Sequence, residues 1–356
     1  MIPPRLRTPL RSLVLLCLPV IAGALLTPAH AAPARRHAPA AVEPAAGRDY
    51  AARDEVRAFI DAMVQAHGFD AEHLSRVFRA ARFDADVLRL IGPPRAGFKR
   101  SWEVYRARFL DPLRIREGVR FWRTHEDALK RASAEYGVPA EIIVSIIGVE
   151  TIYGRITGDF RVLDALTTLA FDYPRRAAYF REELEHFLLY TRDAGLDLFE
   201  VRGSFAGAIG LPQFMPGSLR RFAVDFDGDG RIDLRGSPVD AIGSVARFLS
   251  LHGWVPGEPT HFPATIAAEE RIEPLIAAGI EPQFTLAQLA DYGLGSPSDV
   301  PADAKLALID LQNAGRATDY VLGARNFYAV TRYNRSSFYA MAVIELARAL
   351  SKARDG

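Results

Sequence analysis

At 356 residues the chain is longer than one hydrophobic core usually organises, so two domains, or one large domain with an appendage, are expected. Hydrophobic residues at 49% and charged residues at 24% exclude global disorder, and 44 basic against 43 acidic side chains leave no electrostatic footprint for nucleic acid. A single cysteine excludes a disulfide framework and any multi-cysteine zinc or iron–sulfur centre.

Arg5, Arg7 and Arg11 precede an apolar run from Leu13 to Leu26, and Ala29-His30-Ala31 places small residues at the spacing of a signal-peptide cleavage site. The run falls short of the roughly 20 residues that a bilayer-spanning helix takes. Residues 1–31 are therefore expected to be a cleaved signal peptide, and the mature protein to be exported and soluble. Cys17 sits behind Leu16 and inside the run, away from any cut, which argues against a lipoprotein. Residues 32–48 are dominated by Ala and Pro and form an expected extended linker.

From Tyr50 to about Leu90, Val56, Phe59, Ile60 and Met63, then Leu74, Val77 and Phe78, recur at helical spacing, and Gly92-Pro93-Pro94 ends the unit. Further helices are predicted over Glu117–Tyr136, from Pro139 to Thr151, over Arg175–Ala194 and over Val239–His252. Past Pro256 turn residues are frequent and helices short. Strands are predicted at Leu306–Leu311, Asp319–Leu322 and Phe327–Tyr333 from their alternating or β-branched character, and a last helix at Phe338–Leu350. There is no internal repeat. The fold class is mainly α with a small β part, that is α+β.

The segment Glu141 to Thr151 is apolar nearly all round and is read as a buried helix. Glu150 falls on the same stripe as Ile143, Ile146 and Ile147. A carboxylate drawn out of water there has its pKa raised, and an acid that keeps its proton near neutral pH is what protonation of a glycosidic oxygen requires. The alternative is an ion pair with Arg155 or Arg161, or a side chain that simply points to solvent. The glycine-rich stretch Arg202 to Pro216 allows close backbone approach to a ligand, with Ser204 and Gln213 as hydrogen-bonding side chains. Tyr105, near Trp102, and the pair Tyr333-Asn334 are candidates to stack on or bond to sugar.

Asp225-Phe226-Asp227-Gly228-Asp229-Gly230-Arg231-Ile232-Asp233 matches the first nine positions of an EF-hand-like calcium loop. Carboxylates fall at positions 1, 3 and 5, Gly230 turns the chain at 6, and Arg231 offers its carbonyl at 7. Position 12, ordinarily a bidentate Glu, is Gly236, and the nearest carboxylate beyond it is Asp240, which needs a longer loop.

Taken together, these segments resemble the membrane-bound lytic murein transglycosylase B family of peptidoglycan-cleaving enzymes. The resemblance rests on Ile147-Gly148-Val149-Glu150-Thr151, Tyr153-Gly154-Arg155, Gly203-Ser204-Phe205-Ala206-Gly207-Ala208, Gln213-Phe214-Met215-Pro216, Pro238-Val239-Asp240-Ala241, His252-Gly253-Trp254 and Thr331-Arg332-Tyr333-Asn334. It implies a lysozyme-like catalytic core over residues 98–255, containing the calcium loop 225–240. A helical part over 49–97 precedes this core, and 256–356 complete the cleft with short helices, a small β part and a C-terminal helix. It further implies that Glu150 is the single catalytic acid/base and that Tyr105, Ser204, Gln213, Tyr333 and Asn334 line the saccharide cleft. A structural calcium ion would be held by Asp225, Asp227, Asp229, the Arg231 carbonyl and Asp240, in a loop longer than the standard one. Leu211-Pro212 and Phe248 depart from the family pattern, the latter at a position where a cleft tyrosine can stand.

The implied reaction cuts the β-1,4 bond between N-acetylmuramic acid and N-acetylglucosamine and leaves a 1,6-anhydro end. A hydrolytic muramidase, the first rival, needs a second carboxylate about 5–10 Å from the acid, and Asp159 and Asp164 are the nearest in sequence on the C-terminal side. The second rival is a non-catalytic, calcium-stabilised wall-binding protein. The expected setting is the periplasm, as a monomer acting on glycan strands, with cell-wall remodelling proteins as further partners. No HExxH, P-loop, dinucleotide fingerprint or GxSxG elbow is present.

Overall fold

The structure is a computed structural model and describes residues 49–93, 97 and 99–356. The expected signal peptide and linker, 1–31 and 32–48, lie outside the described residues.

The first described segment folds as a short 3-10 turn and the helices Asp54–His67, Ala71–Ala80 and Ala85–Ile91. Local chemistry sets their limits. Gly68 ends the first in the left-handed region, and the carboxylates of Asp70 and Asp84 accept N–H bonds at the starts of the next two. The unit packs on the helices Val162–Asp172 and Ala177–Asp193. The Tyr50 hydroxyl and Arg53 both bond Asp172, and Phe59, Phe78 and Phe171 meet edge to face. One continuous buried cluster runs from Tyr50 to Leu350, so the N-terminal helices share the central core.

The helix expected over Glu117–Tyr136 is two helices, Pro112–Thr124 and Glu126–Tyr136, meeting at His125 (φ −116°, ψ 29°). The bend lets Phe121 and Trp122 on one side and Leu129 and Ala132 on the other reach the core. A one-residue break leaves the apolar period nearly intact, which is why spacing did not reveal it. Next comes Ala140–Thr151, which is buried from Ile142 to Val149 and again at Thr151. The last helix, Ser337–Asp355, packs along it and along Pro112–Thr124.

Among the described residues two short antiparallel pairs, Phe160–Arg161 with Arg202–Gly203 and Thr265–Ile266 with Leu294–Gly295, accompany the largest sheet. That sheet is three-stranded and antiparallel, in the order His261–Pro263, Asp319–Gly323, Ala307–Leu311. Alternation explains its burial on both faces. Ala307, Ile309, Leu311 and Val321 face the main core, while Leu308, Leu322 and Phe262 face a second apolar cluster with Leu275, Leu289 and Leu306. The third expected strand, Phe327–Tyr333, is instead the helix Arg325–Thr331 followed by a turn. Its β-branched Val330 and Thr331 favour a strand, but burial of Asn326, Phe327, Ala329, Val330 and Thr331 on a helix overrides that propensity. The loop between the last two strands reaches across to the short helix Trp102–Ala107. The Gln312 carbonyl accepts from Trp102 N–H (2.8 Å) and Asn313 Oδ1 from Glu103 N–H (2.9 Å). That helix, whose N-cap Ser101 makes no side-chain bond, is therefore capped from a loop distant in sequence. Among the described residues no single helix is long and apolar enough to cross a membrane.

Candidate active site

Glu150 occupies the last turn of Ala140–Thr151 and is partly exposed, whereas Ile143, Ile146 and Ile147 on the same stripe are fully buried. The helix stops because Ile152 (φ 51°), Tyr153 (φ 59°) and Gly154 (φ 85°) turn left-handed in succession. A β-branched residue in that region is strained, and strain of this kind gathers at functional sites. Thr151 secures the turn: its hydroxyl donates to the Leu211 carbonyl (2.8 Å) and accepts from Gly154 N–H (3.0 Å).

The Glu150 carboxylate accepts a hydrogen bond from the Tyr339 hydroxyl (2.6 Å). Burial pushes its pKa up to about 7, and the phenol, by bonding the charged form, opposes that rise. Both arginines considered as partners are engaged elsewhere, Arg155 with Glu117 (2.9 Å) and Arg161 with Asp164 (2.7 Å). Among the described residues no ion pair involves Glu150. Three phenols surround the acid. Tyr105, Tyr333 and Tyr339 all have their pKa raised by burial first and by the Glu150 charge as well, so all remain protonated donors. The Tyr333 ring stacks on Tyr339 (centroids 6.3 Å apart, planes at 12°), and its hydroxyl donates to the Pro212 carbonyl (2.6 Å).

Of the expected cleft residues, Tyr105 and Tyr333 are thus brought to Glu150. Gln213, itself left-handed (φ 50°), donates its amide to the carbonyls of Thr157 (3.0 Å) and Gly210 (2.9 Å), tying the glycine-rich loop to the segment that follows the acid. Ser204 turns its hydroxyl onto its own loop, accepting from Ala208 N–H (3.0 Å). Asn334 is buried beside Tyr333 at the start of the C-terminal helix. Phe248 is buried among Phe214, Phe222, Tyr333 and His252. Sequence reasoning missed Tyr339. Its signal was a hydroxyl in an otherwise apolar stretch, Phe338 to Ile344, a pattern shared by many core tyrosines.

The acidic loop brings together oxygens of Asp225, Asp227 and Asp229, all within 4.8 Å of one another and exposed. Backbone bonds shape it: Asp225 accepts from Gly228, Asp229 and Gly230 N–H. Arg231 lies in the same loop and donates its N–H to Asp229 (2.8 Å). Asp240 does not join the cluster. It is 1% exposed and accepts from the N–H groups of Phe226 (2.8 Å), Asp227 (3.2 Å) and Asp233 (2.8 Å), fastening the loop from beneath. Asp233 accepts from Arg235 and Gly236 N–H and also stands outside the cluster. Three crowded carboxylates are the hard-oxygen donor set of a calcium ion, so the residues fit that cation. The loop is connected to the acid, because the Leu234 carbonyl accepts from Leu211 N–H (2.8 Å) and the Leu211 carbonyl from Thr151.

Residues 51–348 match the family model described as the transglycosylase SLT domain. The chain belongs to this family. As a lytic transglycosylase it is 45% identical over 316 residues to the membrane-bound lytic murein transglycosylase B of Escherichia coli strain K12, with 86% of each chain covered. The lytic transglycosylase SltB1 from Pseudomonas aeruginosa, in a catenated form, is similar to it with a TM-score of 0.81 at 46% identity, covering 86% of this chain and 100% of that one. The Escherichia coli lytic transglycosylase Slt35 in complex with calcium gives 0.79 at 45% identity, covering 88% and 100%. The lytic transglycosylase therefore has the mainly helical, lysozyme-like α+β fold that the sequence motifs implied, and its activity is cleavage of peptidoglycan.

Proposed function

We propose that this transglycosylase breaks the β-1,4 bond between N-acetylmuramic acid and N-acetylglucosamine with Glu150 as its only acid and base. Protonated Glu150 gives its proton to the glycosidic oxygen as the bond from C1 to that oxygen breaks, and the N-acetylglucosamine end leaves as an alcohol. The substrate's own 2-acetamido oxygen stabilises the electron-poor C1. Ionised Glu150 then takes the proton of the muramoyl C6 hydroxyl while O6 bonds to C1, which restores the acid and consumes no water. Tethering the nucleophile to the substrate gives the high effective molarity of an intramolecular attack.

The observation that carries this reading is a carboxyl raised to about 7 by burial and hydrogen-bonded, among the described residues, to a neutral phenol alone. At neutral pH such a group holds and releases a proton with comparable ease. A hydrolytic route finds less support. Burial and Tyr339 account for the Glu150 shift without a neighbouring carboxylate, and Asp164 is committed to Arg161 and to the N–H of Arg82. Mass spectrometry of digested peptidoglycan tests the proposal: anhydro ends are expected, and reducing ends overturn it.

Tyr105, Ser204, Gln213, Tyr333 and Asn334 are proposed to line the glycan cleft. Calcium is proposed to sit on Asp225, Asp227, Asp229 and the Arg231 carbonyl, holding the loop that reaches Thr151 through Leu234 and Leu211. Asp240 acts in this proposal through the loop amides it binds. Residues 1–31 are proposed to direct export to the periplasm, which N-terminal sequencing of the secreted protein checks.

A further inference from the structure

One buried charge takes part in neither the acid nor the cation loop. Arg114, 7% exposed, lies in the first turn of Pro112–Thr124. Its Nε donates to the carbonyl of Gly148 (2.8 Å), two residues before Glu150. Its Nη1 donates to the carbonyl of Arg108 (2.7 Å), three residues after Tyr105, and to Asp111. The guanidinium carbon lies 5.3 Å from the centre of the Phe109 ring, which packs on Tyr105 with centroids 5.0 Å apart.

Burying a cation is costly even when it is paired, and an apolar side chain of similar length often fills such a space with no loss of stability. Packing alone therefore gives no reason for a guanidinium here. What it offers, and neither Lys nor Met offers, is a rigid planar fork whose donors keep a fixed separation. The prongs of this fork end on two different segments. One grips the end of the helix that carries Glu150, and the other grips the turn that closes the short helix carrying Tyr105. The far end of that short helix is already capped by Gln312 and Asn313. Close packing around Gly148 reinforces the grip: a Cβ there would lie 2.4 Å from the Tyr153 hydroxyl, and one on Gly118 of the Arg114 helix 2.2 Å from the same atom.

We propose that Arg114 is a positioning residue for the transglycosylase reaction, setting the spacing between the Glu150 carboxyl and the Tyr105 wall through its two carbonyl bonds. The proposal rests on Glu150 being the acid and base. It acts on the bond-making geometry, so its loss is expected in kcat rather than in KM.

The test compares Arg114→Lys and Arg114→Met with the wild type on purified glycan strands, with Leu74→Ala, a cavity variant in the N-terminal helices, as the control for lost stability. Arg114→Lys keeps the charge but gathers its donors on one nitrogen, without the planar fork. A fall in kcat of about ten- to hundred-fold is expected with KM nearly unchanged, beyond that of Leu74→Ala at an equal drop in Tm. Arg114→Met is expected to lose at least as much; should it fail to fold, Arg114→Lys decides. A kcat for Arg114→Lys within about two-fold of wild type, or a loss that appears in KM alone, overturns the proposal. Glu150→Gln measured alongside separates the two failures. If Glu150→Gln is inactive while Arg114→Lys keeps its kcat, only the arginine's role falls, whereas full activity of Glu150→Gln removes both readings.

Discussion

Glu150 and the loop at Asp225, Asp227 and Asp229 are both carboxylate sites, yet their surroundings give them opposite chemistry. Glu150 stands alone at the end of an apolar helix among phenols, and burial pushes its pKa up to about 7. The three aspartates are exposed and crowded, and the Ser237 hydroxyl and the Asp229 N–H hold the Asp227 carboxyl below its usual value. Desolvation favours the protonated form of one carboxyl, as its proposed role of acid and base requires. The exposed aspartates instead offer the hard oxygens that the proposed cation site requires. The same functional group is thus proposed for two purposes, according to how much water reaches it.

Four variants break or sharpen this contrast. Glu150→Gln has the largest expected effect, a loss of about 10²- to 10⁴-fold in muropeptide release. The same variant tests the burial argument through stability. Because the folded-state pKa is raised from 4.5 to about 7, the native protein binds more protons than the unfolded chain between those values. Stability contributed by that proton is complete below about pH 4.5 and is lost as pH rises through about 7. Glu150→Gln should therefore be more stable than wild type by about 3 kcal/mol at pH 8 and nearly equal to it at pH 4, as chemical denaturation would show. Equal stabilities at pH 8 would mean that Glu150 is not desolvated.

On the exposed side, calcium at about 100 times its Kd should raise unfolding stability by about 2.7 kcal/mol, and Asp225→Ala should abolish the rise. An unchanged thermal shift in Asp225→Ala would remove the loop as the binding site. Tyr339→Phe takes away the hydrogen bond that favours ionised Glu150, so the alkaline limb of the pH–rate profile should move upward. A downward move would show that the phenol acts some other way. The smallest effect is expected at Tyr153, whose hydroxyl is buried with no hydrogen-bond partner among the described residues. Tyr153→Phe removes an unsatisfied group and should stabilise the fold by about 1 kcal/mol in urea denaturation.

Much of the site was legible in the chain because its signals are local. Glu150 stood out as a charge on an apolar helical stripe, and the acidic loop as oxygens at fixed offsets. Tyr339 was not legible, since a phenol in a buried helix looks the same whether or not it meets a carboxylate 189 positions away. Asp240 shows the reverse. Its proximity to the loop was evident, but whether its oxygens meet a cation or the loop's own amides depends on how the chain folds back over it. Phe327–Tyr333 misled because β-branched side chains favour a strand only on a pleated, half-buried surface, and here Phe327, Ala329, Val330 and Thr331 are all buried on a helix.

The amino-acid order alone determined the periodic helices, the left-handed glycine turns and the family to which the enzyme belongs, since each depends on residues near one another in the chain. Tertiary structure decided how far Glu150 is shielded from water, which phenols face it, and that Arg114 joins the two segments beside it. Those properties arise from contacts between segments far apart in sequence, where dielectric surroundings and donor geometry exist only once the chain has closed on itself.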